Sequence, residues 1–285
     1  MRQPSTSAVR TATLPSGETI PVLGQGTWNM GERADRRAGE IAALGLGVDL
    51  GMTLIDTAEM YGGGTAEKLI AEAIGDRRDE LFLVDKVMPQ HATRRGTIAS
   101  CEASLRHLRT DRIDLYLLHW RGTIPLDETL EAFDHLAASG KIRHWGVSNF
   151  AVDDMEELAE LRPGVPPAAN QVLYNLTRRG IEHDLLPWCG ARGIPVMAYS
   201  PVEQGRLLSN KTLKRVADRL TATPAQVALA WVLRQAQVAA IPKAGNLAHV
   251  RENRGALELT LAAADLDELD RAFPPPKKAT PLEMI

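Results

Sequence analysis

The chain has 285 residues, of which 44% are hydrophobic and 24% charged, so it is long enough to bury a core and its composition excludes a disordered or fibrous protein. Thirty-three Lys and Arg residues against 36 Asp and Glu residues give a net charge of −3, which offers no basic surface to nucleic acid or to an anionic membrane. The absence of a basic surface favours a small-molecule function. The two cysteines, Cys101 and Cys189, form no CxxC or metal-binding pattern, which fits a reducing compartment.

The N-terminal segment lacks an apolar core of the length that a secretory signal needs, and we expect residues 1–10 to be a flexible lead-in. The turn Pro15-Ser16-Gly17 then predicts a short β-hairpin over residues 11–20. The most apolar stretch, Ile41 to Ile55, is interrupted by glycines and is shorter than the ~20 apolar residues that span a bilayer. We therefore expect a cytoplasmic protein without a membrane anchor.

After the hairpin, short apolar runs alternate with longer amphipathic segments, and Thr97 to Leu108 is typical of the latter. Thr223-Pro224 predicts the start of one helix, and Ser139-Gly140 predicts the end of another. The apolar runs predict eight strands: Val22 to Gly26, Leu54 to Asp56, Leu81 to Lys86, Ile113 to His119, Ile142 to Ser148, Ala169 to Val172, Pro195 to Tyr199 and Val238 to Ile241. Eight strand–helix units predict an α/β fold, a closed (β/α)8 TIM barrel over residues 1–285 that ends in a tail at 274–285.

Polar residues end nearly every predicted strand, and in a TIM barrel these carboxyl ends form the active site. A single polar strand end is expected wherever a strand meets water, but seven in one chain indicate a functional site. The seven are Asp56, Lys86, His119, Ser148-Asn149, Asn170-Gln171, Tyr199-Ser200 and Lys243.

Four of the residues near these strand ends suit the reduction of a carbonyl group. The phenol of Tyr61 has an ordinary pKa near ~10, and an adjacent ammonium such as that of Lys86 would lower it. Asp56 would keep Lys86 charged, and His119 would donate a hydrogen bond to a substrate oxygen as negative charge develops there.

The residues around this tetrad resemble those of the aldo-keto reductase family. Residues 51–62, Gly-Met-Thr-Leu-Ile-Asp-Thr-Ala-Glu-Met-Tyr-Gly, resemble the signature that opens the active site of that family. The resemblance continues in order through Val84-Asp85-Lys86-Val87, Asp114 to His119, Gly146 to Phe150, Asn170-Gln171, Tyr199-Ser200-Pro201 and Ile241-Pro242-Lys243. Within the family, the chain is most similar to the short bacterial members of the methylglyoxal reductase type.

The resemblance implies that NADPH delivers hydride directly to the carbonyl carbon while Tyr61 protonates the oxygen, without a metal. Lys86 and Asp56 would tune Tyr61, and His119 would orient the carbonyl. The family pattern also implies a set of cofactor-binding residues, which are Ser148, Asn149 and Gln171 at the carboxamide, Tyr199 on the nicotinamide ring, and Ser200, Pro201, Gly205 and Leu207 over the pyrophosphate.

The adenine end departs from the family pattern. Members that favour NADPH commonly follow the Ile-Pro-Lys run with Ser and place Arg six positions after the Lys, where this chain has Ala244 and His249. Lys243 remains for the 2′-phosphate, and Glu252 and Asn253 match the adenine contacts. We therefore expect NADPH to be preferred by a reduced margin, with NADH as the second cofactor.

We expect a monomer with a fairly open pocket for small aldehydes or 2-oxoaldehydes such as methylglyoxal. One alternative is a redox-sensing module that binds NADP with little turnover, as in relatives that dock on membrane channels. Another is a metal-dependent hydrolase that uses Asp56 and His119, which the lack of a His-x-His pair at a strand end disfavours. The predicted apolar rim of the pocket consists of Trp28, Met60, Met88 and Trp120.

Overall fold

The predicted hairpin is present in the computed structural model, which describes residues 8–285. Strand β1 (Thr11–Thr13) pairs antiparallel with β2 (Thr19–Pro21), and Gly17 adopts the positive φ of 88° that the turn needs. Most of the predicted lead-in, residues 1–7, lies outside the described residues. At its end, the Arg10 carbonyl accepts a hydrogen bond from the Val22 amide at 2.9 Å, which joins the segment to the start of the barrel.

Eight parallel strands follow and form one closed sheet, which confirms the predicted barrel. Neighbouring strands pair in chain order, and parallel bridges from Leu23 to Ala240 and from Gly26 to Lys243 join the first strand to the last. The first strand is shorter than predicted, two of the others match the prediction, and five differ from it by one residue at one or both ends. The strands are β3 (Gln25–Gly26), β4 (Leu54–Asp56), β5 (Phe82–Val87), β6 (Ile113–Leu118), β7 (Ile142–Ser148), β8 (Asn170–Leu173), β9 (Val196–Tyr199) and β10 (Val238–Ala240).

The helices surround this sheet and begin and end where local chemistry allows. Thr223 accepts a hydrogen bond from the Gln226 amide at 3.2 Å, and the Gln226 side chain accepts one from the Thr223 amide at 3.0 Å, so a capping box starts α8 as predicted. The helices are α1 (Ala34–Asp49), α2 (Thr65–Ile74), α3 (Arg94–Leu108), α4 (Leu126–Ala138), α5 (Val152–Leu161), α6 (Leu185–Gly190), α7 (Lys211–Arg219), α8 (Pro224–Leu233), α9 (Leu247–Gly255) and α10 (Ala263–Ala272).

Most of the barrel strands, such as β5 and β6, are buried on both faces, so their side chains alternate between the barrel interior and the layer beneath the helices. The register pairs Lys86 with Leu117 and Asp85 with Tyr116. Because Lys86 reaches the residues of the predicted site, as shown below, Asp85 and Tyr116 face the helices. The two sides of β5 therefore carry different chemistry.

The C-terminal tail packs beside the loop that follows β8, at the carboxyl end of the barrel. Leu282 contacts the hydrophobic core, and Glu283 forms an ion pair with Arg178 at 2.5 Å. A cavity of about 690 Å³ lies between the tail and residues 176–180, and none of the predicted tetrad lines it. Among the described helices, none combines the length and the apolar character needed to span a membrane.

Candidate active site

The tetrad predicted from the strand ends meets at the mouth of the barrel, around the ammonium group of Lys86. Its Nζ donates to Asp56 Oδ2 at 2.9 Å, to the Thr57 carbonyl at 2.7 Å and to the Tyr61 hydroxyl at 3.3 Å. Lys86 is fully buried and Asp56 is 2% exposed, so this ion pair is shielded from water. Lys86 has three acceptors for three N–H groups, which holds the ammonium in one orientation against the phenol.

Tyr61 reaches this position through a run of glycines. It begins a kinked turn in which Gly62, Gly63 and Gly64 all have positive φ, between 57° and 92°. Backbone of this kind strongly favours glycine, and it leads directly into α2. The turn explains why the motif needs glycine immediately after the tyrosine.

The structure changes the predicted pKa of Tyr61. We expected Lys86 to lower it below the ordinary value, and the ammonium does act in that direction. Burial acts in the opposite direction and is the larger effect, so the pKa of Tyr61 is raised. Although burial opposes it, the charge of Asp56 raises the pKa of Lys86, which keeps the lysine protonated. The phenol therefore stays protonated at neutral pH, as a proton donor must.

His119 lies beside Tyr61, and its imidazole is neutral. Its ring centroid lies 6.0 Å from that of Tyr61 and 4.9 Å from that of Trp120. Burial, together with the nearby charge of Lys86, lowers the pKa of His119 to about 2. Its Nδ1 is buried and has no hydrogen-bond partner within residues 8–285. A neutral imidazole has one donor nitrogen, and a donor aimed at the mouth can orient a carbonyl oxygen.

The three residues predicted to hold a carboxamide lie side by side next to the tetrad. Asn149 Nδ2 donates to the His119 carbonyl and to Ser148 Oγ, both at 3.1 Å, and Asn149 Oδ1 accepts from the Tyr199 hydroxyl at 3.0 Å. Gln171 Nε2 donates to Asp56 Oδ1 at 2.7 Å. Asn149 has a φ of 57°, so its backbone is held in a left-handed conformation by this network.

The loop predicted to cover a pyrophosphate is also shaped by a buried carboxylate. Glu203, Gln204 and Gly205 all have positive φ, between 49° and 87°. Glu203 is 4% exposed and accepts hydrogen bonds from Asn175 Nδ2 at 2.7 Å and Arg206 Nη2 at 2.8 Å. This carboxylate stabilises a backbone that is otherwise unfavourable. The loop contains the predicted residues Ser200, Pro201, Gly205 and Leu207, of which Pro201 and Leu207 are buried.

The residues predicted to bind the adenosine end lie around the start of α9. Lys243 and His249 are exposed, Glu252 is half-buried and Asn253 is buried. Asn246 caps the helix by accepting from the His249 amide at 2.9 Å, and its Nδ2 lies 3.1 Å from His249 Nδ1. An exposed cation beside the N-terminus of a helix is suited to a phosphate group.

The predicted rim is partly open to solvent. Trp28 is 44% exposed and Met60 is 40% exposed, whereas Met88 and Trp120 are half-buried. Large apolar side chains beside a buried polar tetrad form the kind of site that takes a small, weakly polar ligand.

Sequence reasoning overlooked two residues that support the tetrad. The Thr57 carbonyl holds Lys86 Nζ, and Glu59 Oε1 accepts from the Met88 amide at 2.6 Å, which joins the Tyr61 loop to the loop after β5. Glu59 lies between Asp56 and Tyr61 in the motif, and this position is the signal that could have identified it. The Thr57 contact involves a backbone oxygen and has no signal in the residue type.

The donor set fits a dinucleotide better than a metal ion. The amides and hydroxyls beside Tyr199, the left-handed loop after β9 and the exposed Lys243 after β10 place polar groups at the carboxyl ends of the last strands. In the part of the chain that the structure describes, no cluster of three His, Cys, Asp or Glu side chains could hold a metal.

Comparison with known proteins agrees with this geometry. The model of the Aldo/keto reductase family matches residues 22–273. Methylglyoxal reductase YeaE of Escherichia coli is 52% identical over 272 residues, which cover 94% of this chain and 96% of that protein. Glyoxal reductase of Bacillus subtilis is 34% identical over 268 residues, or 93% of each chain.

Solved structures show the same similarity. The crystal structure of an aldo/keto reductase from Klebsiella pneumoniae in complex with NADP and acetate superposes with a TM-score of 0.94 at 48% identity. The superposition covers 98% of this chain and 100% of that one. A structure from the same organism in complex with NADPH has a TM-score of 0.95 at 48% identity, with the same coverage.

Proposed function

Because the chain belongs to the aldo/keto reductase family, we propose that it reduces small aldehydes and 2-oxoaldehydes such as methylglyoxal to alcohols, with NADPH as the preferred reductant. It is an NAD(P)H-dependent oxidoreductase that acts on carbonyl groups. The observation that carries the proposal is the Lys86 ammonium, buried between Asp56 and the protonated Tyr61 at the mouth of the barrel.

The four tetrad residues divide the chemistry between orientation and proton transfer. The bound nicotinamide supplies the hydride. His119 donates a hydrogen bond to the carbonyl oxygen, which orients the substrate and stabilises the negative charge that develops there. Tyr61 donates its hydroxyl proton to that oxygen, and Lys86 stabilises the phenolate that remains. Asp56 keeps Lys86 charged and in place.

The cofactor would lie along the carboxyl ends of the last strands. Ser148, Asn149 and Gln171 would hold the carboxamide, and Tyr199 would stack on the ring beside them. Gln171 also donates to Asp56, so it would connect cofactor binding to the tetrad. Ser200, Pro201, Gly205 and Leu207 would cover the pyrophosphate, and Lys243, His249, Glu252 and Asn253 would contact the adenosine with its 2′-phosphate.

The substrate class is supported by the names of the relatives and by the rim. A methylglyoxal reductase and a glyoxal reductase are among the similar proteins, and both names denote 2-oxoaldehyde or dialdehyde substrates. Trp28 and Met60 border the mouth with exposed apolar surface, which suits a small carbonyl compound.

A steady-state screen tests this function. NADPH and NADH oxidation would be followed with methylglyoxal, glyoxal, nitrobenzaldehyde and a set of sugars. We expect the highest kcat/KM with NADPH and a 2-oxoaldehyde. No turnover with any carbonyl compound would refute the proposal, and a single turnover of bound NADPH without steady-state activity would favour the redox-sensing module. We also expect a cytoplasmic monomer, which sedimentation of the purified protein and fractionation of cells would test.

A further inference from the structure

A cluster of buried polar groups lies directly behind the catalytic lysine, on the helix-facing side of β5. Asp85 precedes Lys86 in the strand, so its side chain points toward α2 and α3. The strand register places Tyr116 beside it. The carboxyl of Glu67, in the first turn of α2, is within hydrogen-bonding reach of Asp85. None of these three side chains takes part in the mechanism above.

The oxygens of the two carboxyl groups have unequal partners. Asp85 Oδ1 accepts from the Lys86 amide at 2.7 Å, and Glu67 Oε2 lies 2.8 Å from His107 Nδ1. Asp85 Oδ2 and Glu67 Oε1 are buried, and neither accepts from a donor anywhere in residues 8–285. Two buried carboxylates in contact repel each other, whereas one proton between these two oxygens satisfies both.

We propose that Asp85 and Glu67 share one proton at neutral pH, with Asp85 as the acid and Glu67 as the carboxylate, and that Asp85 is a positioning residue for Lys86. The proton belongs on Asp85 because Glu67 faces the imidazole of His107, which stabilises an anion, whereas Asp85 Oδ1 accepts only from a backbone amide.

The other titratable groups around the pair support this assignment. Burial, followed by the charge of Glu67, raises the pKa of Asp85 well above its ordinary value. The positive charge of Lys86 acts in the opposite direction on the pKa of Asp85, but Asp56 already pairs with that ammonium. The titratable or charged groups that face the pair are Lys86 on β5, Tyr116 on β6, Cys101 and His107 on α3, and Glu59 near Tyr116.

Asp85 positions Lys86 by accepting its backbone amide. Where the chain leaves β4, the Thr57 amide donates to the Val84 carbonyl at 2.9 Å, and a regular parallel ladder would next pair the Lys86 amide with the Thr57 carbonyl. Here the Lys86 amide donates to Asp85 Oδ1 instead, and the Thr57 carbonyl accepts from Lys86 Nζ at 2.7 Å. The Asp85 carboxyl therefore leaves a backbone oxygen available to hold the ammonium beside Tyr61.

The proton on Asp85 also keeps a second negative charge away from the Lys86 ammonium of the tetrad. An ionised Asp85 would place a second anion next to Lys86, which already pairs with Asp56. It would also raise the pKa of Tyr61 further, because Asp85 acts on the phenol in that direction. A neutral Asp85 leaves the ammonium free to stabilise the phenolate.

An infrared comparison at pH 7 tests the shared proton without measuring catalysis. The wild-type protein should show the C=O stretch of a buried protonated carboxyl group, and Asp85→Asn should lose it. The Asn side chain can still accept from the Lys86 amide and donate to Glu67 Oε1, so this variant should fold. Difference spectra of wild type minus Asp85→Asn that contain no such band would overturn the shared proton.

Kinetics test the positioning role, and this part rests on the proposed function. We expect Asp85→Asn to keep kcat within about twofold, because both hydrogen bonds remain. Asp85→Leu, of similar size, should lower kcat by at least about tenfold with KM for the carbonyl little changed. If Asp85→Leu does not fold, Asp85→Ala is measured in its place. Wild-type kcat in the apolar variant would overturn the role, whereas an inactive wild type would refute the proposed function and leave the infrared result intact.

Discussion

The buried neutral state of His119 predicts a specific loss of stability in mild acid. An unfolded chain protonates this imidazole below its ordinary pKa of about 6.5, whereas the folded pKa is about 2. Between these two values the unfolded state binds more protons, so the free energy of unfolding falls as the pH falls from 7. At pH 5 the loss from this one group is about 2 kcal/mol, from RT ln(1 + 10^(6.5 − 5)).

The predicted loss does not depend on the exact folded pKa. Any folded pKa below about 4 leaves the imidazole neutral at pH 5 and gives nearly the same result. The burial of the ring and the charge of Lys86 both favour the neutral form, so the direction of the effect is set by two independent causes.

Urea unfolding at pH 7 and pH 5, with wild type and His119→Gln compared at each pH, measures this effect. The other six histidines contribute equally to both proteins and cancel in the comparison. The wild type should lose about 2 kcal/mol more than the variant between the two pH values. Equal losses in the two proteins would mean that His119 is protonated in the folded state, and the assignment of a neutral orienting imidazole would be wrong.

Four further predictions follow from the site. Tyr61→Phe should lower kcat by about 10²- to 10⁴-fold while the Kd for NADPH stays constant, and kcat near that of wild type would contradict its role as the acid. His249→Arg should lower the Kd for NADPH, because a guanidinium can grip the 2′-phosphate in a bidentate manner, and an unchanged Kd would contradict a contact between residue 249 and that phosphate. The raised folded pKa of Asp85 stabilises the wild type at low pH, and the wild type loses this stabilisation as pH rises above about 4, whereas Asp85→Asn has no such group to titrate. The free energy of unfolding of Asp85→Asn should therefore rise relative to that of wild type with increasing pH, and urea midpoints that change in parallel in the two proteins would contradict this. A chelator should leave the steady-state rate unchanged, and a loss restored by added metal would favour the hydrolase.

Local sequence patterns predicted most of the fold and identified the four residues of the tetrad. The strands of a closed parallel barrel are buried on both faces, so each is a short apolar run that is visible without any knowledge of its neighbours. The carboxyl end of each strand meets the mouth, so a polar residue there, such as His119 after β6, could be assigned to the site from its place in the chain.

The degree of burial and the long-range contacts of these residues were harder to predict from the sequence. The direction of the Tyr61 pKa shift was predicted wrongly because the type of its charged neighbour can be read from the chain, whereas the degree of its desolvation cannot. Gln171 was predicted only as a cofactor contact, and its hydrogen bond to Asp56 joins residues 115 positions apart.

The sequence by itself therefore determined the barrel, the four reactive side chains and their place at one end of the strands, because these follow from periodicity, strand ends and a local motif. Only the tertiary structure decided the protonation states of those side chains and the support behind them. Asp85 shows the reason: its neighbour Lys86 is adjacent in the chain and faces the barrel, whereas Glu67 on α2 reaches Asp85 only through the tertiary fold. Electrostatic interactions depend on distance and burial, and both are set only when the helices close over the sheet.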